Sequence, residues 1–160
     1  MNRSDPMNPA INELGQARPT WSEMSQESPR AYGILVVDDE GAIRSVLNDG
    51  MRQKGFSVWV AASGKEALDL YRRHFKAIDV ILLDVRMPGL DGPQTLAALR
   101  ELSPEIRACF MTGELGEYTE EGLCGMGEAA AVFLKPFHLA QLVQSLWNLV
   151  TNSNLRQSTI

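Results

Sequence analysis

Short apolar runs alternate with segments of helical period, and this alternation constrains the fold of the chain more than any other feature. Five such runs occur after residue 30: Ile34–Val37, Phe56–Ala61, Val80–Leu83, Ile106–Met111 and Ala130–Leu134. Buried strands that alternate with helices are typical of parallel sheets with crossover connections. The pattern therefore predicts an α/β fold with five parallel strands.

Four of the segments that follow these runs carry apolar residues at helical spacing. We expect their inner faces to be Ile43, Val46, Leu47 and Met51; Ala67, Leu70 and Tyr71; Leu96, Leu99 and Leu102; and Leu139, Leu142, Val143, Leu146 and Leu149 or Val150. Ser63 with Glu66 resembles a capping box, and Asp91 can cap a helix that starts near Pro93. Gly55 stands where the first helix would end.

The chain of 160 residues is long enough for one domain with a real core. Residues 1–30 contain four prolines and no sustained period, which predicts a disordered N-terminal tail. We expect the domain to cover residues 31–151 and a polar C-terminal tail to cover residues 152–160. Within the domain, the glycine-rich segment from Gly113 to Gly127 should be the most mobile part, because glycine weakens a helix by about 1 kcal/mol relative to alanine.

Composition excludes several classes of function. The formal net charge of −5 argues against a surface that binds nucleic acid, which would need clustered lysine and arginine. No apolar run is long enough to span a bilayer, and the N-terminus lacks a signal pattern. Cys109 and Cys124 have neither metal-ligand nor CxxC spacing, so we expect reduced thiols and a cytoplasmic protein, with Cys109 in the core.

Polar residues follow the predicted strands at the point where each strand ends. They are Asp38 and Asp39 after the first strand, Asp84 after the third, Thr112 after the fourth and Lys135 after the fifth. Parallel strands bring their carboxyl ends to one edge of a sheet, where ligands bind in open α/β folds. Three clustered carboxylates repel one another, and a divalent ion such as Mg²⁺ compensates them. A carboxylate there can also act as a nucleophile toward a phosphoryl group.

Four segments at these strand ends resemble the receiver domain of two-component response regulators. They are "ILVVDDE" from Ile34, "VILLDVRMPGLDG" from Val80, "ACFMTGE" from Ala108 and "VFLKPF" from Val132. The resemblance extends from about Ala31 to Val150. It implies a (βα)5 fold, a three-layer doubly wound sandwich of the kind found in flavodoxin and CheY.

The resemblance also implies roles for individual residues. Asp84 matches the phosphoacceptor of the family, and Asp38 and Asp39 match its acidic Mg²⁺-binding pair. Thr112 and Lys135 match the hydroxyl and the amine that bind oxygens of the phosphoryl group.

Two neighbouring positions match the family as well. Arg86 matches the residue that offers a backbone carbonyl to the metal, alongside Asp84 itself. Pro136 matches a proline that follows a cis peptide bond, a rare form that positions Lys135.

The function implied is that of a signalling protein rather than an enzyme that turns over a substrate. A histidine kinase or a histidine phosphotransfer protein would donate the phosphoryl group, and an unidentified protein target would bind the phosphorylated form; neither nucleic acid nor membrane is expected as a partner. Two alternatives stay open: a degenerate receiver that only binds proteins, and a Mg²⁺-dependent phosphatase of the haloacid-dehalogenase type. The phosphatase class needs a second acid two residues after the nucleophile, where this chain has Arg86.

The sequence departs from the family near the fifth strand. Many receivers have Tyr or Phe three residues before the site lysine, and here that position is Val132, followed by Phe133. Because side chains alternate across a strand, we expect Phe133 to pack under a helix on the opposite face, and activation to proceed without a large aromatic rotation. We also expect Arg86 and Glu114 to pair across the mouth of the site and to slow hydrolysis of the acyl phosphate.

Overall fold

The computed structural model describes residues 30–125 and 129–157, and they form alternating strands and helices. The strands are β1 (Gly33–Val37), β2 (Ser57–Ala61), β3 (Val80–Asp84), β4 (Arg107–Thr112) and β5 (Ala131–Leu134). The helices are α1 (Gly41–Gln53), α2 (Gly64–His74), α3 (Gly92–Leu102), α4 (Glu120–Gly125) and α5 (Leu139–Gln157). Apart from Arg30, the expected N-terminal tail lies outside the described residues.

The five strands form one parallel sheet in the order β2-β1-β3-β4-β5. Alternate strand residues face opposite sides of the sheet, so two hydrophobic clusters form. One cluster includes side chains of α2, α3 and α4, and the other includes side chains of α1 and α5. The predicted three-layer (βα)5 fold is confirmed, and it places β3 at the centre of the sheet.

Helices α2 and α3 begin after residues whose side chains cap them. The side chain of Asp91 accepts a hydrogen bond from Gln94 N at 2.9 Å, and Gln94 Oε1 accepts one from Asp91 N at 3.0 Å, which completes a capping box. Ser63 Oγ accepts a hydrogen bond from Glu66 N at 3.2 Å, whereas Glu66 reaches back to the N–H group of Ala62. Both predicted caps are therefore present, although only the cap of α3 is reciprocal.

Two residues that were expected on the inner faces of helices are largely exposed. Leu102 is 45% exposed because α3 ends at this residue, and Val46 is 60% exposed on α1. The last helix continues to Gln157, and the domain boundary at residue 151 stays a prediction. Helical spacing shows which side of a helix faces the core, but it does not show where the neighbouring layer stops covering that side. The burial of Leu102 and Val46 was therefore predicted wrongly.

Cys109 and Phe133 lie where the sequence predicts them. Cys109 is 2% exposed and belongs to the core, as predicted, and both cysteines are free. Burial raises the pKa of the Cys109 thiol to about 12. Phe133 packs against the cluster beneath α1 and α5, and Val132 packs against the opposite cluster.

Among the described helices, none has the length and apolar character required to cross a membrane. The end of the glycine-rich segment, residues 126 and 127, lies outside the described part.

Candidate functional site

The site lies at the carboxyl edge of the sheet, where three neighbouring strands end in buried polar residues. Asp84 is the last residue of β3 and is 4% exposed. Asp38 directly follows β1, Thr112 ends β4, and both are buried. Because β1 and β4 flank β3, the side chains that follow them stand on either side of Asp84.

Three carboxylates converge at this edge, as predicted. One oxygen from each of Asp38, Asp39 and Asp84 lies within 4.8 Å of the other two, and Asp39 is the exposed member. Burial of Asp84, together with the negative charge of Asp38, raises the pKa of the Asp84 carboxyl from 3.8 to about 6. Lys135 and a backbone hydrogen bond from Arg86 oppose this rise without cancelling it. The protein thus holds a buried carboxylate whose charge is incompletely compensated.

Lys135 follows β5, two strands away from β3, and its long side chain spans the distance. Its Nζ donates a hydrogen bond to Asp38 Oδ2 at 2.7 Å and stands 3.7 Å from Asp84 Oδ2. Burial lowers the pKa of Lys135, but the hydrogen bond to Asp38 and the charges of Asp84, Asp38 and Glu40 outweigh it, so the pKa is raised overall. The amine therefore stays protonated beside both acids. The Lys135–Pro136 peptide bond is cis, as the resemblance implied.

Thr112 is present at the site, but its hydroxyl group is engaged by its own loop. Thr112 Oγ1 donates a hydrogen bond to the carbonyl oxygen of Glu114 at 2.6 Å and accepts one from Glu114 N at 3.1 Å. This is a local turn of the kind that Ser and Thr commonly form. The single hydroxyl hydrogen is thus committed to the backbone.

Arg86 and Glu114 both line the site, but they form no ion pair with each other within 4.0 Å. Instead, the guanidinium group of Arg86 lies against Gly116, where any side chain would overlap it. Gly116 also has a φ of 62°, a conformation that favours glycine. The expected pairing is therefore wrong for this structure, because the backbone of the following loop occupies the place near Arg86.

Four further residues support the site, and the site prediction did not include them. Arg44 donates a hydrogen bond to the carbonyl oxygen of Asp38 at 2.7 Å, and Glu40 Oε1 lies 3.8 Å from Lys135 Nζ. A Cβ atom at Gly92 would stand 2.5 Å from the carbonyl oxygen of Asp84, so only glycine fits there. Tyr118 binds Asp91 through its hydroxyl group. The sequence signals for these residues are weak, because single charged residues, glycines and tyrosines in loops are common.

These groups surround an open cleft of about 370 Å³. Its lining residues are Asp39, Glu40, Asp84, Arg86, Thr112, Gly113, Glu114 and Lys135. Carboxylate oxygens are hard ligands that Mg²⁺ prefers, and Mg²⁺ usually takes one or two carboxylates while keeping several waters. The three clustered acids, with one amine to compensate them, fit a divalent cation of this kind.

Comparison with known protein families and sequences identifies receiver domains as relatives. Residues 34–147 match the family model described as response regulator receiver domain. The chain is 35% identical over 111 residues to sporulation initiation phosphotransferase F of Bacillus subtilis. The aligned region covers 68% of this chain and 86% of that protein. The chain is also 35% identical over 116 residues to sensor kinase CckA of Brucella abortus, covering 71% of the chain but only 12% of the kinase. The matched region is thus a small part of that larger relative.

Solved structures show the same fold. A response regulator receiver domain protein from Clostridium thermocellum has a TM-score of 0.71 at 27% identity, covering 78% of this chain and 98% of that one. A second match is a CheX-CheY-BeF3-Mg complex from Borrelia burgdorferi, with a TM-score of 0.67, 27% identity and coverage of 74% and 88%. Both comparisons therefore agree with the (βα)5 fold described above.

Proposed function

Because the chain belongs to the family of response regulator receiver domains, we propose that Asp84 accepts a phosphoryl group from a phosphohistidine donor and that the phosphorylated form binds a protein target. The observation that carries this proposal is the buried carboxylate of Asp84, which opens into a cleft 3.7 Å from a protonated lysine. Burial and the charge of Asp38 raise the pKa of this carboxylate to about 6.

The reaction transfers one phosphoryl group without a redox step. An oxygen of the Asp84 carboxylate attacks phosphorus, the bond from phosphorus to the imidazole nitrogen breaks, and its electron pair stays on that nitrogen. The product is an acyl phosphate on Asp84. Lys135, held beside Asp84 by its hydrogen bond to Asp38, is placed to pair with one phosphoryl oxygen.

Asp38, Asp39 and Asp84 would hold Mg²⁺, together with the backbone carbonyl of Arg86 as a further ligand. When bound, the ion neutralises negative charge that collects on the phosphoryl oxygens during transfer. Asp39 is exposed and can exchange water for the ion, whereas Asp38 is fixed by Lys135 and by the N–H group of Glu40 at 2.8 Å. The complex from Borrelia burgdorferi, whose name includes Mg and BeF3, supports this assignment.

The donor would be a histidine kinase or a histidine phosphotransfer protein, and the site of action would be the cytoplasm. Support comes from the relatives, one of which is named a sensor kinase and another a phosphotransferase. The output would be a contact with a protein target, with catalysis confined to the chain's own phosphorylation and dephosphorylation. A pull-down that compares the wild type with Asp84→Asn under phosphorylating conditions would isolate such a target.

Intact mass spectrometry after incubation with acetyl phosphate and Mg²⁺ tests the proposal. We expect a gain of one phosphoryl group in the wild type and no gain in Asp84→Asn. Asp49→Asn is the matched control, since Asp49 is an exposed acid of α1 outside the cleft, and it should be phosphorylated like the wild type.

Two outcomes would contradict the proposal. Absence of any mass gain in the wild type, with acetyl phosphate and with a phosphohistidine donor, would favour a receiver that only binds proteins. A mass gain that persists in Asp84→Asn would assign the phosphoryl group to another residue.

A further inference from the structure

Tyr118 joins the loop after β4 to the loop after β3. Its hydroxyl group donates a hydrogen bond to Asp91 Oδ2 at 2.8 Å. The same carboxylate group raises the pKa of Tyr118 to about 12, which is expected for a phenol that donates to an anion. Nearby, the guanidinium group of Arg86 lies against the backbone of Gly116. The loop from Gly113 to Thr119 is therefore joined to its neighbour by one hydrogen bond, and the side chain of Arg86 packs close to it at Gly116.

The acceptor of this hydrogen bond is itself fixed. Asp91 uses its other oxygen, Oδ1, to accept from Gln94 N, and so caps α3. The next residue, Gly92, donates its backbone N–H to the carbonyl oxygen of Val85 at 2.9 Å and packs against the backbone of Asp84. The attachment point of Tyr118 is thus rigidly connected to the strand end that carries Asp84.

Thr112 directly precedes this loop, and its hydroxyl group would bind a phosphoryl oxygen in the proposed reaction. Thr112 cannot donate to a phosphoryl oxygen while its only hydroxyl hydrogen is bonded to the carbonyl oxygen of Glu114. To donate to a phosphoryl oxygen, the hydroxyl group must turn away from the carbonyl oxygen of Glu114, or the turn from Thr112 to Glu114 must rearrange. The attachment of the loop through Tyr118 opposes such a rearrangement.

The ring of Tyr118 is also placed where its loop meets the core. Tyr118 packs against the same hydrophobic cluster as Val132, the position where the fifth strand has no aromatic side chain. Its hydroxyl group faces the polar cleft formed by Arg86, Met87, Gly89, Asp91, Gln94 and Glu117. The hydrogen bond to Asp91 is therefore accessible to solvent and can open without disruption of the core.

We propose that Tyr118 is a positioning residue that, through Asp91, holds the Gly113–Thr119 loop with Thr112 turned toward Glu114 and thereby slows phosphorylation of Asp84. This inference rests on the proposed function and adds a residue that controls its rate. Loss of the Tyr118 hydroxyl group frees the loop, so Thr112 becomes available to the phosphoryl group more often.

The test compares Tyr118→Phe with the wild type by two measurements. Initial rates of phosphorylation by acetyl phosphate in saturating Mg²⁺, followed by intact mass, should rise about fivefold, which corresponds to about 1 kcal/mol. Amide exchange of residues 113–119 in the unphosphorylated protein should become faster. Tyr71→Phe is the matched control, because Tyr71 belongs to the same hydrophobic cluster but lies on α2; it should change neither measurement.

A double-mutant cycle with Asp91→Ser assigns the effect to the hydrogen bond. Serine preserves an N-cap for α3 but has no second oxygen for Tyr118. Each single variant should raise the rate by a similar factor, and the double variant should raise it no further. Additive effects would overturn the proposal, and so would an unchanged or reduced rate in Tyr118→Phe.

The two proposals fail in different ways. If the wild type accepts no phosphoryl group, the proposed function fails, and amide exchange alone then decides whether Tyr118 holds the loop. If the wild type is phosphorylated while Tyr118→Phe leaves both measurements unchanged, only the role of Tyr118 is overturned.

Discussion

Substitution of Asp84 by asparagine should stabilise the metal-free protein at neutral pH. The pKa of Asp84 rises from 3.8 to about 6 because the carboxyl group is buried and lies near Asp38. The folded protein therefore binds this proton more tightly than the unfolded chain does. Ionisation of Asp84 costs no stability below pH 3.8, and the cost increases through the interval to pH 6 and is complete above it. A shift of about 2 pKa units corresponds to about 3 kcal/mol.

Urea unfolding in the presence of EDTA measures this effect. At pH 7.5 we expect Asp84→Asn to be more stable than the wild type by up to about 3 kcal/mol, while at pH 4 the two proteins should be nearly equal. Asp49→Asn removes one negative charge from an exposed position and serves as the control, with an expected change within about 0.5 kcal/mol at either pH. Added Mg²⁺ should stabilise the wild type and reduce its difference from Asp84→Asn, because the ion binds only the folded wild-type site tightly.

Two results of these unfolding measurements would refute the electrostatic explanation. If Asp84→Asn gains the same stability at pH 4 as at pH 7.5, the gain does not come from ionisation of this carboxyl group. If Asp84→Asn gains no stability at pH 7.5 in EDTA, then Lys135 already compensates the charge of Asp84, and the site does not need a cation for electrostatic balance.

Further substitutions test other contacts of the site. Asp39→Ala should slow phosphorylation at low Mg²⁺ and recover at high Mg²⁺, because an exposed ligand of the proposed ion is lost; rates equal to those of the wild type at low Mg²⁺ would contradict its role. Lys135→Met should lower the free energy of unfolding by about 3 kcal/mol in EDTA, since it removes the cation that pairs with the buried carboxylate of Asp38; a neutral result by urea unfolding would refute this. Gly92→Ala should destabilise the protein by about 1 to 3 kcal/mol because its Cβ would meet the backbone of Asp84, whereas Gly41→Ala at the start of α1 should be tolerated. Crystal structures with and without a phosphoryl mimic should show the Phe133 ring unmoved, and a ring that swings between solvent and interior would disprove this.

The sequence alone determined the order and the type of most elements. Apolar runs and helical spacing predicted five strands and four of the helices, and Asp91 and Ser63 marked helix starts, because these signals depend on a few neighbouring residues. The convergence of Asp38, Asp39 and Asp84 was also predictable, since parallel strands bring their carboxyl ends to one edge. The resemblance of whole segments to receiver domains then supplied the proposed roles.

Only the tertiary structure decided which partners the polar side chains choose. Lys135 donates its hydrogen bond to Asp38 rather than to Asp84, and Arg86 lies against Gly116 rather than pairing with Glu114. Long, flexible side chains have several partners within reach, and the choice depends on distances set by the packing of strands and loops distant in the sequence. The exposure of Leu102 was also decided by the tertiary structure. The periodicity of a helix shows which side faces the core, whereas the burial of a single residue depends on where the adjacent layer ends.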